Sequence, residues 1–523
     1  MNITQLLTHA KKVSGKREAI TCGDTRYTWI EFDQRTQYLA RSLASLGVKR
    51  GDRVAVLMLN CHRYLELYYA CARMGAVIVP LNIRLARPEI VFILNDSGSK
   101  VLVVDKAFAP YITGRDTYET VNEIIYAANE EDELPQGAHN YEQLITQGEH
   151  LPDADQEMHE EDLAGLFYTG GTTGRAKGVM LSHGNVVANA MNVAVAAGYN
   201  DRDTFLHTAP MFHLGNTGSA FALTLVAARN VFNPMFNPVL FMKTVQDESV
   251  TLSFVVPTMF NAIINHPDVD KYDLSSLRRL AYGASPMPVE LLKRGLERYG
   301  QIFSQGYGMT ETSPLLTGLD LLDHVLDGTP EQVRRLASAG KEVAGVEVRV
   351  VNAKGEDVTP GEIGEVIARG PNVMRGYWNM PEATAAAIVD GWMHTGDLAT
   401  VDDENYIFII DRAKDMIISG GENIYSVEVE NALYTHPAVL EAAAVGIPHP
   451  TWGEAVHAVV VLKPGASASE EDLIEHTRTQ IAGYKVPRSV EFSDEALPKS
   501  GAGKILKRNL RDKHWQGQDR SVN

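Results

Sequence analysis

Between Tyr168 and Gly178 the chain reads Tyr-Thr-Gly-Gly-Thr-Thr-Gly-Arg-Ala-Lys-Gly, with four glycines, three threonines and one lysine in eleven residues. Such a stretch carries few Cβ atoms, so its backbone N–H groups can come close to an anion. The hydroxyls of Thr169, Thr172 and Thr173 and the ammonium of Lys177 add donors and positive charge. That inventory suits phosphate, and phosphate points to a nucleotide. The spelling is not G-x-x-x-x-G-K-[ST], because Gly178 rather than Ser or Thr follows Lys177, and no G-x-G-x-x-G occurs here. Neither the standard phosphate loop nor a dinucleotide fingerprint is therefore supported. The bland alternative is a surface hairpin loop.

Apolar runs at 163–167 and 179–181 flank the loop and would hold it between two regular elements. From about residue 19 to 303, short apolar runs alternate with helical periodicity. Thr28 followed by Glu31 spells a capping box for a helix ending near Gly47. Residues 53–59, 76–80 and 101–104 read as buried strands, with helices at 64–74 and 88–94 between them. The rhythm returns with strands at 204–208, 252–256, 279–282 and 302–305. This alternation predicts an α/β fold, with parallel sheets covered by helices. Residues 346–351, 364–368 and 406–410 are β-rich, with turn signals at 353–355 and 360–361, and predict a small antiparallel subdomain over about 340–411. A compact α+β unit follows over 412–523.

At 523 residues the chain has room for about three units of roughly 150 residues. Hydrophobic content of 45% and charged content of 22% describe an ordinary globular protein. A net charge of −18 argues against broad nucleic-acid binding or attraction to anionic lipid. Cys22, Cys61 and Cys71 are too few and too irregular for a disulfide or zinc framework, and read as buried thiols in a reducing compartment. No signal peptide, membrane-spanning apolar run or terminal address is evident, so the cytoplasm is the expected location.

The segment 168–178 resembles the signature of the AMP-forming adenylating superfamily of acyl-CoA synthetases, luciferases and peptide-synthetase adenylation domains. That signature usually reads Y-T-S-G-T-T-G-x-P-K-G. This chain departs from it at Gly170, which removes a hydroxyl, and at Ala176, which loosens the turn before Lys177. Four further segments follow in the family's order: Gln305-Gly306-Tyr307-Gly308-Met309-Thr310-Glu311; Gly391-Trp392-Met393-His394-Thr395-Gly396-Asp397; Asp411-Arg412-Ala413-Lys414-Asp415 with Ser419-Gly420-Gly421-Glu422-Asn423; and Pro498-Lys499-Ser500-Gly501-Ala502-Gly503-Lys504. Each alone is a weak signal, whereas five in order span nearly the whole chain.

The resemblance implies a large N-terminal domain (1–411) of two helix-flanked sheets plus the β subdomain, and a small mobile C-terminal lid (412–523) hinged at Lys414. It implies activation of a carboxylic acid by ATP to acyl-AMP with release of pyrophosphate, then transfer to the thiol of coenzyme A. In that scheme Thr169, Gly170, Gly171, Thr172, Thr173, Gly174 and Lys177 cradle the β- and γ-phosphates. Thr310 touches the α-phosphate, and Glu311 supplies an oxygen for Mg²⁺. Tyr307 lies against adenine, bordered by Gly283, Ala284 and Ser285, with Gln305, Gly306, Gly308 and Met309 in the same segment. Asp397 accepts from the ribose hydroxyls, and Arg412 reinforces it. Lys504 bridges the carboxylate and the α-phosphate, and His213 lines the space between the carboxylate and the acyl pocket. In the second step Lys504 withdraws, and the loop carrying Gly420 and Gly421 shapes a thiol tunnel. Read without the resemblance, Tyr307 and His213 could be packed core, Asp397 a turn cap, and Lys504 a solvated charge.

Few residues follow Lys504, which favours coenzyme A over a fused carrier domain, although a free-standing ligase that loads a carrier protein stays open. The acyl pocket is expected among residues 212–219, 256–260, 282–285 and 308–315, where no Arg or Lys stands out to pair with a second carboxylate. A neutral, apolar acid is therefore expected, either a medium- or long-chain fatty acid or a cinnamate-type aromatic acid. A non-catalytic nucleotide- or lipid-binding relative would have no use for Lys177, Glu311, Asp397, Arg412 and Lys504 together. A homodimer is compatible with all of this.

Overall fold

The computed structural model describes residues 1–112, 117–129, 131–169, 176–412, 414–501 and 503–515. Gly170, Gly171, Thr172, Thr173 and Gly174 lie outside them. Along strand Arg53–Leu57 the side chains alternate between two cores: Val54 and Val56 face one, Ala55 and Leu57 the other. A strand buried on both faces reads as a continuous apolar run, which is why its sequence shows no polar alternation. The same holds along strand Ser99–Asp105, with Val101 and Val103 on one side and Leu102 and Val104 on the other.

Among the described residues the strands form four sheets, of nine, eight, five and five strands. The eight-stranded sheet is parallel through Leu163–Thr169, Val77–Pro80, Arg53–Leu57, Ser99–Asp105 and Glu123–Ala127, and antiparallel where Lys177–Ser182 joins Leu163–Thr169. The nine-stranded sheet is parallel at its centre, through Thr204–His207, Leu252–Val255, Arg279–Gly283 and Phe303–Gly308. Helices Ile3–Ser14, Trp29–Ser45, His62–Met74, His183–Ala196 and Leu214–Leu225 supply residues to one core that also takes side chains from both sheets. Thr28 caps the second of these helices in a capping box with Glu31.

Residues 347–412 form an antiparallel sheet, in which Trp392–Val401 pairs with Gly364–Arg369 on one side and Ile407–Arg412 on the other. The last sheet centres on the long pair Val439–His449 and Gly453–Leu462, with Ser426–Tyr434 and Glu470–Arg478 as helices. The expectation of three buried thiols is corrected in part. Cys71 is buried, but Cys22 and Cys61 are partly exposed, because they stand at a strand end and at a helix N-cap. Among the described residues no helix is long and apolar enough to cross a membrane.

Candidate active site

Parallel sheets gather their loops at the carboxyl ends of the strands, and ligands bind there. The motif residues follow that rule. Thr169 ends strand Leu163–Thr169, Ala284 and Ser285 follow Arg279–Gly283, and Met309, Thr310 and Glu311 follow Phe303–Gly308. His213 lies beyond Thr204–His207 and caps helix Leu214–Leu225. The glycine-rich stretch is followed by strand Lys177–Ser182. It joins two antiparallel strands in which Thr169 and Lys177 are register partners, so both ends point the same way.

These ends converge on one cavity of about 910 Å³, lined by Thr169, Lys177, His213, Ala284, Gln305, Gly306, Tyr307, Gly308, Met309, Thr310, Glu311, Arg412, Lys414 and Lys504. A smaller cavity of about 220 Å³ shares Ala284, residues 305–308, Arg412 and Lys504 with it and adds Ser285 and Asp397. Gly283 lines neither. It pairs with Gly306 across adjacent strands, where a Cβ would come within 2.4 Å of the Gly306 carbonyl oxygen. Gly420 and Gly421 also line neither; both are exposed and have φ of 61° and 86°. Two successive positive φ values are what a two-residue hairpin turn between Ser419 and Glu422 demands, and glycine meets that at least cost.

Asp397 sits between two donors. The Tyr307 hydroxyl donates to its Oδ2 at 2.8 Å and Arg412 Nε to its Oδ1 at 3.1 Å. Burial works most strongly against the Arg412 charge, but Asp397, Asp415 and other nearby groups together outweigh it and raise that guanidinium. An ionised carboxylate has about four acceptor positions, so two remain for a pair of hydroxyls. Glu311 is only 7% exposed and accepts from the Tyr377 hydroxyl at 2.9 Å. Lys177 Nζ lies 4.8 Å from the centre of the Tyr377 ring, so Tyr377 holds both a cation and an anion of the site in place. Among the described residues Glu311 makes no ion pair, and a buried hard oxygen facing a cavity fits a Mg²⁺ ligand.

The His213 ring accepts from Gly215 N–H through Nδ1 at 3.2 Å, and burial lowers its pKa to about 4. The ring is therefore neutral at pH 7 with its proton on Nε2, a hydrogen-bond donor and not a cation. Lys504 reaches the cavity from a tight turn, closed by Ser500 N–H to the Lys504 carbonyl at 2.7 Å and by Lys504 N–H to Ser500 Oγ at 3.1 Å. Burial, with Arg412 next, lowers its pKa to about 8. Lys414 is lowered by the same two causes. Lys177, Arg412, Lys414 and Lys504 thus bring four basic side chains to one space, an arrangement suited to a polyphosphate.

Away from the connecting segment, directed bonds join described residues of the C-terminal and N-terminal units. Arg84 Nη1 donates to the Ser500 carbonyl at 2.9 Å, Thr258 Oγ1 to the Gly503 carbonyl at 3.2 Å, and Asn261 Nδ2 to the Leu440 carbonyl at 3.2 Å.

A model described as AMP-binding enzyme matches residues 7–378, and one described as AMP-binding enzyme C-terminal domain matches residues 428–504. The chain belongs to the AMP-binding enzyme family. Among its relatives is a feruloyl-CoA synthase from an Amycolatopsis species, 43% identical over 505 residues that cover 96% of each chain. Another is a long-chain-fatty-acid–CoA ligase from Thermus thermophilus, 37% identical over 527 residues that cover 98% of this chain and 96% of that one. A solved anthranilate CoA ligase in complex with anthranoyl-AMP superposes with a TM-score of 0.89 at 28% identity, covering 98% of this chain and 97% of that one.

Sequence reasoning missed several groups of this AMP-binding enzyme. Tyr377 stands in no motif, and only its place on the strand that pairs with Lys177–Ser182 brings it beside Lys177. The acyl end of the cavity also departs from expectation. Residues 256–260 do not line it; Pro257 and Thr258 face the smaller cavity instead. Helix His183–Ala196, Tyr199, Phe254 and Arg279 take their place. Arg279, outside the ranges expected for the acyl pocket, also lines the cavity, since the strand's alternation turns it inward beside Ala281.

Proposed function

We propose that this chain activates a carboxylic acid with ATP to an acyl-AMP and pyrophosphate and then transfers the acyl group to the thiol of coenzyme A, as an AMP-forming acid–thiol ligase. The observation that carries this reading is that Lys177, Glu311, Arg412 and Lys504, scattered over more than 300 residues, face one cavity that continues into an apolar pocket. Displacement at phosphorus needs in-line placement and cancellation of charge more than covalent help. Lys177 and the donors around it hold the terminal phosphates. Glu311 would hold Mg²⁺, which supplies charge neutralisation on the phosphate oxygens. Lys504 pulls the carboxylate and the α-phosphate together, and Thr310 steadies the latter. The His213 Nε2–H orients the acid, the Asp397 carboxylate takes the ribose hydroxyls, and Tyr307 lines the base site with Ala284 and Ser285.

The lid at 412–523 then turns about Lys414, withdrawing Lys504 and bringing the Gly420–Gly421 hairpin toward the thiol. Here Lys504 is inside the cavity and the hairpin outside it, the arrangement required for the first step. The acid is neutral, and the relatives point to fatty and cinnamate-type acids about equally. Acid-dependent exchange of pyrophosphate into ATP, and AMP release once coenzyme A is added, test the proposal. Absence of exchange with every fatty and aromatic acid tried would overturn it.

A further inference from the structure

Away from the catalytic cavity, three side chains of the C-terminal unit bring metal-binding atoms together. Strand Gly453–Leu462 pairs in parallel with Ser489–Phe492, and His457 stands opposite Ser489. Side chains alternate along each strand. His457 therefore shares its face with Val459 and Val461, which pack with Leu497 and Leu510. On the neighbouring strand Val490 turns to the opposite core, and Glu491 stays on the face of His457. Helix Lys507–Asp512 lays Leu510 against that face. The turn after it brings in His514, whose ring centre lies 4.9 Å from that of His457.

One ligand atom from each of His457, Glu491 and His514 lies within 4.8 Å of the other two. His457 is only 6% exposed, and among the described residues neither its Nε2 nor that of His514 has a hydrogen-bond partner. His457 Nε2 stands 3.6 Å from Glu491 Oε2, beyond hydrogen-bond length. The other ring nitrogen, Nδ1, is 2.7 Å from Ser489 Oγ. With Nδ1–H donating to that hydroxyl, the Nε2 lone pair is left for a metal, the way a ligating imidazole is normally oriented. The Glu491 side chain is 41% exposed, which gives an ion a way in and water a fourth position. A tetrahedral ion with bonds of about 2.0–2.1 Å sets its ligand atoms about 3.4 Å apart, so the three side chains must draw in by roughly an ångström. Lys513 Nζ lies 2.7 Å from both Glu491 oxygens and must give way, which its 40% exposed side chain can do. Two imidazoles and one carboxylate suit Zn²⁺, whereas Mg²⁺ takes oxygen ligands.

We propose that His457, Glu491 and His514 form a Zn²⁺ site that clamps the turn after helix Lys507–Asp512 to the sheet, and so steadies the segment that follows Lys504. The test is titration of the metal-stripped full chain with Zn²⁺ in excess Mg²⁺, without ATP or acid, read by competition with a chromophoric chelator and by the shift in Tm. Uptake of one ion per chain with a rise in Tm is expected. Ser489→Ala, which removes only the partner of Nδ1, should weaken uptake by about 10–100-fold, and His514→Ala and Glu491→Gln by at least as much. Lys513→Met, which releases Glu491, should tighten it by about two- to fivefold, the worth of an exposed ion pair. Glu311→Gln should take up the ion as the unaltered chain does. No uptake by the unaltered chain overturns the proposal, as does unchanged affinity in His514→Ala or Glu491→Gln, or a failure of Lys513→Met to tighten it. Loss of uptake in Glu311→Gln would put the ion in the catalytic cavity and overturn it as well. Because no reactant is present, each outcome stands apart from the ligase reading.

Discussion

Lys504 carries a charge that its surroundings disfavour until an anion arrives. Burial and the neighbouring Arg412 bring its pKa down to about 8, so in the free enzyme the ammonium is lost as pH rises through that value. The kcat/KM of the first half-reaction reports the free enzyme, and it should therefore fall on an alkaline limb near pH 8. Bound phosphates favour the charged form, so the corresponding limb in kcat should lie higher. Arginine stays charged throughout this range, so Lys504→Arg should remove the limb from pyrophosphate-exchange profiles, whatever its effect on the maximum. Lys504→Ala should lower pyrophosphate exchange by about 10²–10³-fold, the scale of losing one group aimed at transition-state charge. Unchanged exchange in that variant would take Lys504 out of the mechanism.

In the proposed two-step reaction, the short segment between strands Ile407–Arg412 and Ile417–Ser419 is the hinge that sets which face of the C-terminal unit meets the cavity. Its first strand is tied to the antiparallel sheet through the register of Arg412 with Asp397. Asp411 also accepts from the backbone N–H of Ser426 at 2.7 Å, at the start of the lid's first helix. A rotation must then be absorbed by the few backbone dihedrals around Lys414. Proline fixes φ there and restricts the preceding residue. Lys414→Pro should accordingly spare acyl-AMP formation, measured as pyrophosphate exchange, and slow transfer from preformed acyl-AMP to coenzyme A by about tenfold or more. Equal loss in both assays would contradict a hinge at this position.

Among the described residues the C-terminal and large units meet through few directed contacts, which suits the lid rotation proposed above. Arg84 bridges the eight-stranded sheet's side of the cavity to the turn that presents Lys504. Each such bond is worth about 0.5–1.5 kcal/mol. Arg84→Ala should then reduce pyrophosphate exchange by about two- to tenfold while leaving coenzyme A transfer from preformed acyl-AMP intact. A loss confined to the transfer step would show that Arg84 does not serve the arrangement described here. The two layered sheets set where everything else can stand: their strand ends deliver Thr169, Ala284 and Met309 to a shared edge, and the lid closes over it.

Much of this was legible in the chain itself, because local chemistry wrote it there. The continuous apolar runs at 53–57 and 99–105 announce strands buried on both faces, Thr28 and Glu31 announce a helix start, and the glycine, threonine and lysine of 168–178 announce an anion. The order of the motifs announced the reaction. Contacts across long separations were not legible. Tyr377 reaches Glu311 and Lys177 only because its short strand pairs with Lys177–Ser182, and Arg279 faces the acyl pocket only because of strand phase. Motifs record which groups a reaction needs, since those depend on side-chain chemistry. Which faces close around the acid depends on how two sheets and a helix layer pack, and no stretch of residues carries that alone.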